Sequence, residues 1–163
     1  MSYLPYPPDR YDGATGETNA WIRADDTPGE ISREGLTARY LATGETTGGD
    51  FGLYRWEMGP RRGGPDPHFH RSISESFYVL EGAVMLHDGN GWVEGHRGDF
   101  FHVPPGGVHG FRNESDSPAS MLLLFTPGAP REDYFERVHT VGSMSPDDRD
   151  EFFARHDTFW VSR

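Results

Sequence analysis

Cysteine is missing altogether from this 163-residue chain. Its absence excludes disulfides, thiolate metal sites and cysteine nucleophiles together, and it is compatible with a reducing cytoplasm, the location expected here. Positive charge is also scarce: the formal net charge is −11. Such a surface repels a phosphate backbone, so no nucleic-acid partner is expected, and the acidity reads as a solubility feature. Long apolar runs are lacking too. The longest, Met121 to Phe125, suits a buried strand, and no membrane association is expected. The opening Met1-Ser2-Tyr3-Leu4-Pro5-Tyr6-Pro7-Pro8 has neither a basic nor an apolar leader region, so no secretory signal is expected. Apolar content is low, at 34%, which suits one compact core with polar ends.

What the chain does have is 21 glycines, 13 prolines and 13% aromatics, the composition of many short strands joined by tight turns. Residues 1–35 are polar and rich in Pro, Gly and Asp, with isolated aromatics at Tyr3, Tyr6, Tyr11 and Trp21; they read as an irregular N-terminal arm. From Leu36 to about residue 127 the texture is β. Leu36–Leu41 reads as a strand, and Phe51–Met58 alternates with Tyr54, Trp56 and Met58 on one face. Ser76–Leu80 and Ala83–His87 flank Glu81-Gly82, a hairpin signal, and Asp88-Gly89-Asn90-Gly91 is a second tight turn. Trp92–Glu94, Phe100–Val103, His109–Asn113 and Ala119–Phe125 complete a set spaced as in a sandwich or barrel. Residues 128–163 switch to a helical period. Arg131–Val138 reads as a short helix ending near Gly142, and Ser145-Pro146-Asp147-Asp148 has Ser at N-cap, Pro at N1 and acids in the first turn. Phe152, Phe153 and Phe159 are then expected to pack on the barrel.

Four residues carry the chemistry: His68, His70, Glu75 and His109. Three imidazoles and a carboxylate make a complete ligand set for one divalent transition metal, whether Fe, Mn, Ni, Co, Cu or Zn. In a strand, residues i and i+2 face one way, about 6.6 Å apart, so His68 and His70 reach one ion while Phe69 points to the other face. Glu75 lies at the wrong parity for one unbroken strand, so a bend over Arg71–Ser74 is required to turn it inward. His109 arrives from a distant strand after the turn Pro104-Pro105-Gly106-Gly107. Any one of these histidines alone is more often a surface or hydrogen-bonded core residue. Together in an apolar barrel they are costly to bury unless paired or metallated.

The segment Gly63–Gly82 resembles the first motif of the cupin superfamily: glycine, His-x-His, three or four residues, Glu, six residues, Gly. It matches at His68, His70, Glu75 and Gly82, and departs at Gly63, which is separated from His68 by four intervening residues where the family has five. Gly98, Pro104, Gly106, His109 and Asn113 match the second motif without a gap. The resemblance implies an all-β fold, a double-stranded β-helix (jelly-roll) barrel with a short C-terminal helical tail. Ser76–Gly82 and the Phe-rich tail look most like single-domain quercetin-dioxygenase-like cupins. That likeness implies a mononuclear metal opening onto an aromatic substrate pocket, with Glu75 both ligand and base.

Tyr54, Trp56, Phe77 and Phe111 are the candidate pocket residues, though each is as readily barrel core. Arg61 and Arg62 lie near the expected mouth and are either solvated or hold an anionic substrate. Asn113 is expected to make a turn hydrogen bond. His87, His96, His102, His139 and His156 are expected outside the site. Three functions fit this pattern. The first is a quercetinase-like dioxygenase acting on an aromatic, enol or dicarbonyl small molecule. The second is a non-oxidative metallo-cupin such as a polyketide cyclase or isomerase. The third is a non-catalytic small-molecule-binding cupin. Exposed strands and the arm suit a homodimer.

Overall fold

The computed structural model describes residues 4–161, so Tyr3 lies outside the described residues. Alternation decides the sheets. In β3 (Gly52–Met58) every second residue is buried, and Tyr54, Trp56 and Met58 share the inner face. β10 (Ala119–Thr126) is the most apolar strand and takes the central position between β3 and β5 (Ser74–Glu81). With β1 (Ile31–Arg33), β2 (Leu36–Ala42) and β8 (Phe100–Val103) they form an antiparallel sheet of order β1-β2-β3-β10-β5-β8. The facing sheet has the order β7-β6-β9, from β6 (Ala83–His87), β7 (Trp92–His96) and β9 (Gly110–Arg112). A bridge between His68 and His109 joins it to the pair β4 (His68–Phe69) and β11 (Phe159–Trp160). Two sheets packed over one apolar core give the jelly-roll barrel.

Strand pairing begins at Ile31, inside the segment expected to be irregular, because Ile31 is buried and pairs with Ala38. Residues 4–30 carry no helix or strand, and Leu4, Tyr6 and Ile22 are exposed. Polar contacts tie part of this arm down: Arg39 donates to the carbonyls of Asp25 and Thr27, and Arg10 pairs with Asp50.

Asp88–Gly91 is a hairpin turn. The Asp88 carboxylate accepts from Asn90 and Gly91 backbone N–H groups at 2.8 and 2.9 Å, and His87 pairs with Trp92. Glu81-Gly82 is not: β5 pairs with β10 and β8, whereas β6 pairs with β7 and β9. Gly82 has φ +73°, and a Cβ there would meet the Pro118 carbonyl at 2.5 Å. The chain uses that glycine to cross between sheets in close backbone contact.

The helical signals also hold, with one addition. α1 (Glu132–Arg137) runs into a 3₁₀ segment over Val138–Ser143, and α2 (Pro146–Arg155) starts with Ser145 Oγ accepting from Asp148 N–H at 3.2 Å. Phe152 and Phe153 are buried. The tail then returns as β11, pairing Phe159 with Phe69 and Trp160 with His68. His156, expected at the surface, is buried on the inner side of α2, with Nδ1 facing the Phe152 carbonyl and Nε2 facing Asp133.

The glycine ahead of the His-x-His pair has a steric reason, one residue later than the motif match. A Cβ at Gly64 would lie 1.9 Å from the Phe111 carbonyl oxygen, whereas Gly63 faces open space. Gly64→Ala is therefore expected to cost about 2 kcal/mol or more, a fall in melting temperature of about 4–8 °C at this size. Gly63→Ala is expected to leave it within about 2 °C. Thermal unfolding of the two variants checks this, and equal losses would refute it.

Candidate metal centre

Strand pairing brings the first two ligands together. His68 and His109 exchange both backbone hydrogen bonds, at 2.9 and 2.8 Å, so their side chains leave the same face of one bridge. His70 follows two residues on, as strand parity requires, and Phe69 faces away to stack on Phe159 at 5.4 Å. The bend after His70 is held from outside the barrel. The Asp157 carboxylate accepts from Arg71 N–H at 3.0 Å, from Ser72 N–H at 2.8 Å and from the Ser72 hydroxyl at 2.6 Å. This resets the parity, and Glu75 enters β5 facing inward opposite Val103 and Phe125.

His68, His70, Glu75 and His109 are all at most 3% exposed, and one donor atom from each lies within 4.8 Å of the others. Each imidazole sets its Nδ1 on a backbone carbonyl: His68 on Asp66 at 2.9 Å, His70 on Asp157 at 2.5 Å, His109 on Gly107 at 3.0 Å. A carbonyl only accepts, so each Nδ1 carries the proton and each Nε2 is left to ligate. Nε2 of His109 and of His70 stand 2.8 and 3.2 Å from one Glu75 oxygen. Lone pairs facing a carboxylate at that range repel unless a proton or a cation sits among them. The donor set therefore fits one divalent transition metal.

Burial pushes His68 down to about 3, helped by the neighbouring His109 and His70 and only partly opposed by Glu75. Burial acts to raise Glu75, but the His109 and His70 ring nitrogens against its carboxylate prevail and hold it well below the usual carboxylate range. For His109 burial again opposes charge, yet the bond and charge of Glu75 leave it above its ordinary value. Glu75 and His68 are thus in their ligating forms at neutral pH, and His109 is the ligand that still competes for a proton.

A cavity of about 370 Å³ opens beside this cluster, with His68 and Glu75 in its wall. Of the four pocket candidates, Trp56 and Phe111 line it, and their rings meet edge-on at 6.3 Å. Tyr54 and Phe77 do not. Tyr54 is fully buried with its hydroxyl donating to Glu132 at 2.5 Å, and Phe77 packs between Phe101 and Phe111 behind His109. Both face inward as alternation requires, but alternation fixes a side and not a depth. Arg62 lines the mouth, while Arg61 turns out to pair with Asp116. Asn113 is buried, donating to the Gly59 and Ser117 carbonyls and accepting from Ser115. His102 is exposed and bonds Ser76.

Two residues around the site carried no sequence signal. Asp157 orients His70 and the bend from 87 residues away along the chain, and Arg131, read as the start of a short helix, is 4% exposed in the cavity wall.

The protein is expected to take up one equivalent of divalent transition metal. Below its raised pKa His109 carries a proton that the ion must displace, so affinity falls about tenfold per pH unit there. Competition titration with a chromophoric chelator between about pH 8 and pH 5 measures this, and a pH-independent affinity would refute it. Asp157→Ala, which removes no ligand, is expected to weaken metal affinity by about 10–100-fold. Metal content after dialysis reads the effect, and full retention would show that the bend holds without it.

Comparison with known proteins agrees with this architecture. A family model described as a cupin domain matches residues 54–125. Quercetin 2,3-dioxygenase of Bacillus subtilis (strain 168) is 32% identical over 90 residues, 55% of this chain. The match spans only 26% of that enzyme's length. The structure of KdgF from Halomonas sp. superposes with a TM-score of 0.59 at 20% identity, covering 72% of this chain and 99% of the other, a likeness of fold. The polyketide cyclase RemF from Streptomyces resistomycificus superposes with a TM-score of 0.56 at 27% identity, over 68% of this chain and 80% of the other. The matched domain, the two facing sheets and the buried three-histidine, one-glutamate cluster converge: residues 54–125 of this chain form a cupin domain.

Proposed function

We propose that this cupin is a metal-dependent enzyme acting on an aromatic, enol or dicarbonyl small molecule, as a quercetinase-like dioxygenase. The observation that carries the reading is the position of Glu75. It belongs to the ligand cluster and also forms part of the cavity wall, which is otherwise largely apolar and aromatic. The cavity volume, about 370 Å³, lies in the range of small-molecule sites. The partial likeness to a quercetin dioxygenase supports the same substrate class.

A bound divalent ion supplies Lewis acidity, polarising a hydroxyl or carbonyl oxygen of the substrate and easing loss of its proton. The chain's own residues do the rest. Trp56 and Phe111, meeting edge-on, give a planar substrate an aromatic wall to lie against. Glu75, the one carboxylate of the cluster and part of the cavity wall, is the group placed to receive the hydroxyl proton on its carboxylate oxygen. Phe135, Phe153 and Trp160, contributed by the C-terminal segment, cover the cavity and keep water from the resulting enolate. That enolate is the electron-rich species that dioxygen attacks. A second reading keeps the metal and the proton transfer without oxygen, and the likeness to a polyketide cyclase favours it.

Metal-reconstituted protein is expected to consume oxygen with flavonols, catechols or 1,3-dicarbonyls in an oxygen-electrode assay. Glu75→Gln, reloaded with metal, is expected to lower the rate by about 10²–10⁴-fold. Conversion of a polyketone without oxygen uptake would move the assignment to the second reading. Inertness of the loaded protein toward all these substrates would reject both.

A further inference from the structure

Arg131 sits where a cation is not expected. It is 4% exposed, in a cavity wall made largely of rings and aliphatic chains. Its guanidinium lies over Tyr134 at 4.3 Å, Phe125 at 5.3 Å and Phe135 at 5.6 Å. Nη1 donates to the His156 carbonyl at 2.5 Å, and Nε is buried without a hydrogen-bond partner. Among the described residues no carboxylate forms an ion pair with it. Arginine keeps its charge even when buried. A charged fork held by one carbonyl, with its Nε unpartnered and no ion pair, carries a desolvation cost that the more distant charges of Glu75 and Asp157 offset only in part. Face-on ring contacts recover part of that cost and also hold the guanidinium plane in place.

The missing partner must be an anion small enough for the cavity and flat enough to lie among its rings. A carboxylate meets both needs, because its two coplanar oxygens match a guanidinium fork. A phosphate, with oxygens in three directions, would leave most of them facing apolar walls. The metal-loaded cluster is the other place in the cavity wall that attracts a carboxylate, and the variants below separate it from Arg131.

We propose that Arg131 is the anion-recognising residue of this cavity and that the ligand is a small aromatic or enolic carboxylic acid, its carboxylate on Arg131 and its reacting end toward Glu75. This deepens the proposed function, and so rests on the cavity being the substrate site, but not on the use of oxygen. Arg62, half-buried in the same cavity wall, draws anions in without selecting them.

Equilibrium binding tests this without turnover. Metal-loaded wild-type protein, Arg131→Gln, Arg131→Lys and Arg62→Gln are titrated with benzoate, 2-hydroxybenzoate and the methyl ester of each. The wild type is expected to prefer the acids over their esters by about tenfold or more. Arg131→Gln is expected to lose that preference with metal content unchanged, while Arg62→Gln keeps it. Arg131→Lys, which retains the charge without the fork, covers the case of a Gln variant that does not fold, and a reduced but surviving preference is expected. A purely structural role for Arg131 would weaken acids and esters alike. The inference is overturned if wild type binds acid and ester equally or binds neither. It is also overturned if the preference survives in Arg131→Gln, which would assign the carboxylate to the metal. A clear acid preference in a protein inert to oxygen would sustain Arg131 and reject the dioxygenase reading alone.

Discussion

The centre of this protein depends on three N–H groups that point away from it. Each ligand imidazole gives its Nδ1 proton to a main-chain carbonyl, on Asp66, Asp157 and Gly107, and so turns a bare Nε2 toward Glu75. Four acceptors then face one another, each almost fully buried. Electrostatics leaves such an arrangement two solutions, a shared proton or a shared cation, and the choice between them governs how the cluster responds to pH and to metal. The surrounding fold maintains that tension. The bridge between His68 and His109 sets one side, and the bend between β4 and β5 sets the other.

The barrel does not complete this centre by itself. The C-terminal segment crosses back after α2 and adds β11 beside His68, lays Trp160 over the His68 ring at 5.3 Å, and supplies the Asp157 carbonyl to His70. The same segment contributes Arg131, Phe135 and Phe153 to the cavity wall. Cluster geometry and the adjacent cavity therefore share one structural support. A change in how the tail docks alters the metal site and the cavity together, which couples binding to the ligands' orientation.

Much of this was legible in the chain. His68 and His70 at strand parity, the need for a bend before Glu75, and the entry of His109 after a proline–glycine turn are local rules of backbone geometry, and the structure obeys each. Ser145-Pro146 starts a helix and Asp88–Gly91 closes a hairpin for equally local reasons. Other readings failed where distance along the chain matters. Glu81-Gly82 looks like a hairpin turn, yet its flanking strands join different sheets, because pairing partners are chosen by the whole sheet order. Tyr54 and Phe77 have inward parity and still lie off the cavity, since parity carries no information about depth along a barrel.

Composition and periodicity determined short strands of a sandwich or barrel with a helical tail, and the resemblance to two cupin motifs implied the jelly roll and the four residues that converge in it. Strand and helix periods follow from steric and parity rules that act over a few residues. The tertiary structure alone decided that Arg131 and His156 would be buried, that Asp157 would steer His70, and that two of four candidate aromatics would face the cavity. Those outcomes arise from docking one distant segment on another. The free energy of burying a surface depends on what covers it, and no local pattern records that.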